Sequence, residues 1–151
     1  MYKRILVAID RSPVTRALDE AIMLAKVGQA RLLLLHVDMP EPLAVWGEEN
    51  WMVGGLAAVD LAPLELDEHL FDAALKKAAD AGVETESRRV EGGDHKLGAV
   101  IATEAAAWGA DLIVASTHGR VGVDRMLLGS VADDILHNAT MPVLLVHNNQ
   151  P

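Results

Sequence analysis

Four short apolar runs punctuate the chain: Arg4 to Ile9, Arg31 to Val37, Asp111 to Ala115 and Pro142 to Val146. Each is rich in Val, Ile and Leu and lacks the alternation of a half-solvated strand, so each predicts a strand buried on both faces, as in a parallel sheet. A fifth stretch, Val83 to Val90, is mostly polar and predicts a strand at a solvated sheet edge. Between the strands, apolar residues recur at helical spacing. Ala17, Leu18, Ala21, Ile22 and Ala25 form a first inward stripe, with Ser12 as cap, Pro13 in the first turn and Gly28 as the end. Leu70, Phe71, Ala74, Leu75 and Ala78 form a second, opened by Pro63 and stopped at Gly82. A third starts near Asp94, places Leu97, Val100, Ile101, Glu104, Ala105 and Trp108 on neighbouring turns, and ends before Gly109. The fourth is expected from Ser130, with Ser130 and Asp133 in capping-box spacing. This alternation predicts one α/β domain over residues 1–151, a doubly wound five-stranded parallel sheet with right-handed crossovers and about four helices on its two faces.

One connection breaks the economy of that plan. From Asp38 to Ala62 the chain is long for an α/β domain, where such loops usually take about 2 to 6 residues. It carries Trp46, Trp51 and Met52 with Gly47, Gly54 and Gly55 as flexible points. Leaving the carboxyl end of the second strand, it forms either a lid over the sheet's carboxyl edge or an apolar cover for a sheet edge or subunit contact.

Composition narrows the class. The 51% hydrophobic content with one Phe and one Tyr calls for an aliphatic core and excludes global disorder. Thirteen Lys and Arg against 22 Asp and Glu leave a net charge of −9, which repels phosphate backbones at long range, so nucleic acid is not an expected partner. A single nucleotide is still compatible with that charge, because local N–H dipoles, Arg120 and a divalent ion act at contact distance. The chain has no cysteine, hence neither disulfides nor thiolate metal sites. No run approaches the ~18 apolar residues that cross a bilayer, so no membrane partner and a cytoplasmic location are expected.

The candidate chemistry lies after the run Leu112-Ile113-Val114-Ala115, in Ser116-Thr117-His118-Gly119-Arg120-Val121-Gly122 and then Gly129-Ser130-Val131. Glycines let backbone N–H groups approach an anion, and a following helix start offers unpaired N–H groups and a positive dipole end. A strand-to-helix connection also needs glycine simply to turn. His118 and Arg120 flank Gly119, either as phosphate-neutralising groups or as solvated loop side chains. Ser130 caps a helix, and its hydroxyl and the Val131 N–H are placed to face a phosphate. Asp10, closing the first strand, serves either as a turn residue or as a ligand to a ribose, a base or a metal. The remaining histidines (His36, His69, His95, His137, His147) share no metal-site spacing and read as scattered core or surface residues. Gly-x4-Gly-Lys-Ser/Thr is absent, and no Gly-x-Gly-x-x-Gly follows the first strand. A phosphoacceptor receiver would need an aspartate ending the third strand and a lysine ending the fifth, where Arg89-Val90-Glu91 and Val146-His147-Asn148 stand.

Gly119 and Gly129 are separated by nine residues, Ser130 follows, and the chain closes with Met141-Pro142-Val143-Leu144-Leu145-Val146. With Lys3 to Pro13, Leu34-Leu35-His36-Val37 and Gly109 to Val114, these segments resemble the universal stress protein family, whose nucleotide-binding branch carries Gly-x2-Gly-x9-Gly-Ser/Thr in this place. The resemblance implies strand order 3-2-1-4-5 and ATP, with Mg or Mn, in a crevice between the first and fourth strands, outside their carboxyl ends. It implies that Asp10 and the backbone of Val37 contact adenosine, and that Ser116, His118, Gly119, Arg120, Gly129, Ser130 and Val131 surround the phosphates. It further implies a homodimer through the Pro142 to Val146 strand and a role as a nucleotide-dependent stress-response sensor or adaptor. Hydrolysis would be slow at most, since no general base for water is placed. Two positions depart from the family: Ser116 and Arg11 stand where glycines are usual. A Cβ at position 116 disfavours positive φ and crowds a close phosphate, while the hydroxyl can donate in its place. These departures keep open a nucleotide-free interaction protein of the same fold.

Overall fold

A computed structural model describes residues 1–10, 14–39, 69–117 and 124–147, the last segment as helix backbone alone over 124–130. The order is β1 (Arg4–Ala8), α1 (Arg16–Gly28), β2 (Arg31–Asp38), α2 (Asp72–Asp80), β3 (Thr85–Glu91), α3 (Leu97–Trp108), β4 (Leu112–Ser116), α4 (Asp124–Asn138) and β5 (Val143–Val146). All pairings among the described residues are parallel and the sheet order is β3-β2-β1-β4-β5, as the family resemblance implied.

Side chains of the inner strands divide between two apolar layers. Ile5, Val7, Leu32, Leu34, Leu112 and Val114 pack against the Ala17, Leu18, Ala21, Ile22 and Ala25 stripe of α1 and against Ala74 and Ala78 of α2. Leu6, Leu33, Leu35, Val37, Ile113 and Ala115 pack on the other face against Ile101, Ala105 and Trp108 of α3 and Ile135 of α4. Burial on both faces is why these strands read as unbroken apolar runs. The polar β3 takes one edge of the sheet, paired among the described residues with β2 alone, and its charged side chains blunt that edge.

Helix ends show where local signals were overruled. Thr15 caps α1, its Oγ1 accepting from the Leu18 N–H at 3.3 Å, while the expected Ser12 and Pro13 lie outside the described residues. Gly28 is the last residue of α1, but the left-handed position falls to Gln29 at φ 53. Glycine is needed at 28 for a different reason: a Cβ there would come within 2.9 Å of the Tyr2 carbonyl. The N-cap of α3 is Lys96, two residues past the expected Asp94, and the helix stops at Gly109 with φ 82 as its sequence indicated. Pro63, the expected opening of the second helix, lies outside the described residues.

The largest correction concerns α4, which begins at Asp124 and not at Ser130. Arg125, Met126, Leu127 and Leu128 are strong helix formers, and they carry the helix across Gly129 despite a glycine penalty of about 0.5–1 kcal/mol. Ser130 therefore lies in the second turn and is no cap.

The amino end of the sheet is tied down by charge. The N–H groups of Lys3 and Arg4 donate to the Asp111 carboxylate at 2.9 and 3.1 Å. The Arg4 guanidinium donates to the Trp108 carbonyl at 3.0 and 2.8 Å and lies 4.3 Å from the centre of the Trp108 ring. Among the described residues, no helix is long and apolar enough to cross a membrane.

Candidate functional site

The strand order reverses at β1, which has β2 on one side and β4 on the other. Helices leaving the carboxyl ends of β1 and β4 go to opposite faces, and the divergence opens a crevice there. In this structure it measures about 130 Å³. Its floor is apolar, built from Leu35, Val37 and Ala115 on the sheet, Leu97 and Ile101 on α3, and Val131 and Ile135 on α4. Asp10, Thr15, His36 and Ser116 supply polar groups around it. A flat heteroaromatic ring with a polar edge suits such a lining, because its faces need apolar contact and its rim needs a few placed hydrogen bonds.

Four of the sequence candidates meet here. Asp10 lies just beyond β1; Val37, 8% exposed, lies near the end of β2; Ser116 closes β4; Val131 faces the crevice from α4. Ser116 occupies an extended strand position, and among the described non-glycine residues only Gln29 has positive φ. The backbone at 116 therefore needs no glycine, and the expected conformational penalty does not arise. The strand's exit is held by the Thr117 N–H, which donates to the Val146 carbonyl at 3.0 Å, and by Thr117 Oγ1, 3.2 Å from His147 Nδ1.

His118, Gly119 and Arg120 lie outside the described residues, as do Arg11 and the Trp46, Trp51 and Met52 segment read as a lid or cover. Gly129 and Ser130 fall inside α4. Only the first four N–H groups of a helix lack intrahelical partners, so the N–H groups of Ser130 and Val131 are committed to the helix. The expected contact of the Val131 N–H with a phosphate would compete with that helical bond. Among the described residues, no group of three His, Cys, Asp or Glu side chains is placed to hold a metal ion.

Two residues escaped the sequence reading. Thr15 is both the α1 cap and a crevice residue. His36 was counted among scattered histidines, yet its side chain is 12% exposed, lines the crevice and places Nδ1 2.8 Å from the Ile9 carbonyl. Its Nε2 lies 3.4 Å from Asp38, whose carboxylate is gripped by Arg89 at 2.6 and 3.2 Å. The only sequence sign was a polar residue beside Val37 at the carboxyl end of an apolar run.

Comparison with known proteins places this geometry. A model of the universal stress protein family matches residues 1–147. The chain is 32% identical over 151 residues to universal stress protein YxiE of Bacillus subtilis, covering 97% of this chain and 99% of that protein. A universal stress protein solved in complex with cAMP has the same fold, with a TM-score of 0.63, 24% identity and 98% of each chain covered. The universal stress protein of Archaeoglobus fulgidus in complex with dAMP gives a TM-score of 0.65 at 19% identity, covering 96% of this chain and 98% of that one.

Proposed function

The chain belongs to the universal stress protein family, and from that premise we propose that the crevice between β1 and β4 binds an adenine nucleotide. One observation carries the reading: Asp10, Val37, Ser116 and Val131, from four separate stretches of sequence, line a single crevice at the point of strand reversal. The solved relatives hold cAMP and dAMP, ligands that differ in phosphate and sugar and share the adenine base. Under this reading the apolar floor takes the base, Asp10 takes the ribose, and the Ser116 end takes the phosphates.

ATP is the proposed physiological form, with His118, Gly119 and Arg120 at its phosphates and the Ser130 hydroxyl within the same region. Mg or Mn would be held mainly by the phosphates, since Mg usually binds through substrate phosphate oxygens and keeps several waters. Binding, and not turnover, is the proposed activity: a stress-response sensor or adaptor in the cytoplasm whose partner choice follows its ligand. The β5 edge is proposed as the contact of a homodimer. A second reading, a nucleotide-free interaction protein, is favoured by the Ser116 side chain, which occupies space that a glycine would leave empty.

Calorimetry with AMP and ATP at fixed Mg and salt tests the proposal, alongside mass spectrometry of small molecules released from gently purified protein. Asp10→Ala is expected to weaken both nucleotides by about tenfold, from the loss of one charge-assisted hydrogen bond. No binding of either nucleotide, with no adenine compound in the released pool, would establish the nucleotide-free reading instead.

A further inference from the structure

We infer that His36 is a positioning residue that holds the backbone N–H of Val37 open for the edge of the base, an inference that rests on the adenine reading above. Residues of β2 turn their backbone groups alternately to its two neighbours. The Arg31 N–H donates to Lys3 on the β1 side and the Leu32 N–H to Glu84 on the β3 side, both at 2.9 Å. The Leu35 carbonyl again faces β1, accepting from the Ile9 N–H at 2.8 Å, and the Asp38 carbonyl faces β3, accepting from the Gly92 N–H at 2.9 Å. Val37 therefore points its N–H toward β1.

The register pairs Ala8 with Leu35, so the next rung would set Ile9 opposite His36 and join the Val37 N–H to the Ile9 carbonyl. That rung is missing. β1 stops at Ala8 although β2 continues to Asp38, and the Ile9 carbonyl accepts from His36 Nδ1 at 2.8 Å. A carbonyl can only accept, so Nδ1 carries the proton. On its far side the ring's Nε2 lies 3.4 Å from Asp38, which is itself held by Arg89. Without such a device a buried carbonyl and a nearby N–H would pair and close the strand end. With it, Val37 keeps a donor on the crevice wall. Adenine presents an acceptor, N1, beside a donor on N6. Guanine in the same pose would turn a donor, N1–H, toward the Val37 N–H, which disfavours it.

The test uses His36→Leu, which removes the donor, and His36→Asn, whose Nδ2 replaces Nδ1 at the same distance from Cβ. AMP is compared with 1-deaza-AMP, in which a C–H replaces the N1 acceptor. His36→Leu is expected to weaken AMP about tenfold, the worth of one hydrogen bond, and to leave 1-deaza-AMP unchanged. His36→Asn should restore AMP binding. In the nucleotide-free protein, the Val37 amide should exchange with solvent much faster than those of Leu33 and Leu35, and His36→Leu should protect it. Equal weakening of both ligands, or a protected Val37 amide in the wild type, overturns the inference while leaving the adenine reading intact. A wild-type protein that binds neither ligand overturns both.

Discussion

Gly98→Ala tests whether packing outweighs helix propensity at the wall of the crevice. Gly98 is the second residue of α3 and is buried against α4. A Cβ there would lie 2.5 Å from Asp134 Cβ, 2.7 Å from the Val131 carbonyl oxygen and 2.8 Å from the Ile135 nitrogen. Two of these atoms are backbone, so no side-chain rotation relieves the contact. Carbon atoms rest at about 3.5–4.0 Å, which leaves a deficit of about 1 Å that α3 and α4 must make up by separating. Overpacking of this kind costs about 1–3 kcal/mol. Alanine regains up to about 1 kcal/mol of helix propensity, and less than that in a first turn. The net expectation is a loss of about 1–2 kcal/mol, seen for a domain of this size as a Tm lowered by about 2–8 °C. Differential scanning calorimetry and urea denaturation read it. Because Leu97 and Val131 line the crevice on either side of the contact, AMP affinity should fall as well. A Tm equal to or above the wild-type value would show that propensity prevails and that the two helices are not held at contact distance.

Ser116→Gly is expected to weaken ATP binding by about 0.5–1.5 kcal/mol, the worth of one neutral hydrogen bond, because the extended backbone gains nothing from glycine. Adenosine affinity should hardly change, and calorimetry showing tighter ATP binding would mean that the Cβ crowds the phosphates. Leu144→Lys places a charge on β5, which among the described residues pairs with β4 alone, and should convert a dimer into a 16.2 kDa monomer by light scattering. Circular dichroism must show the variant folded, since Leu144 also packs against the α1-side layer. A wild-type chain that scatters as a monomer at micromolar concentration would remove the dimer.

The sheet was legible because its residue choices are redundant: Ile5 to Val7 and Leu32 to Leu35 are buried on both faces, so every position in the run had to be apolar. The α1 stripe was legible for the same reason. The beginning of α4 was not, because Gly129 and Ser130 carry the local marks of a helix start while the helix formers before them extend it. Gly28 looked like a helix stop and proved to be a point of close approach to Tyr2, a partner in another segment. His36 was illegible in principle. Its meaning depends on a carbonyl 27 residues away and on a missing rung of the ladder, neither of which leaves a pattern along the chain.

The clamp between Arg4 and Asp111 joins residues separated by 107 positions, and β1 meets β4 only through that long loop. During synthesis β1 emerges before β2, and its second edge is covered only when β4 appears. At about 5–20 residues per second, its second edge waits roughly 5–20 s for a neighbour. Helix formation and local collapse take microseconds by comparison. The half-built sheet, β1 with α1 and β2, thus spends seconds with an open apolar edge. The period in which a nascent chain can pair wrongly is set by the pace of translation and not by the search for native contacts.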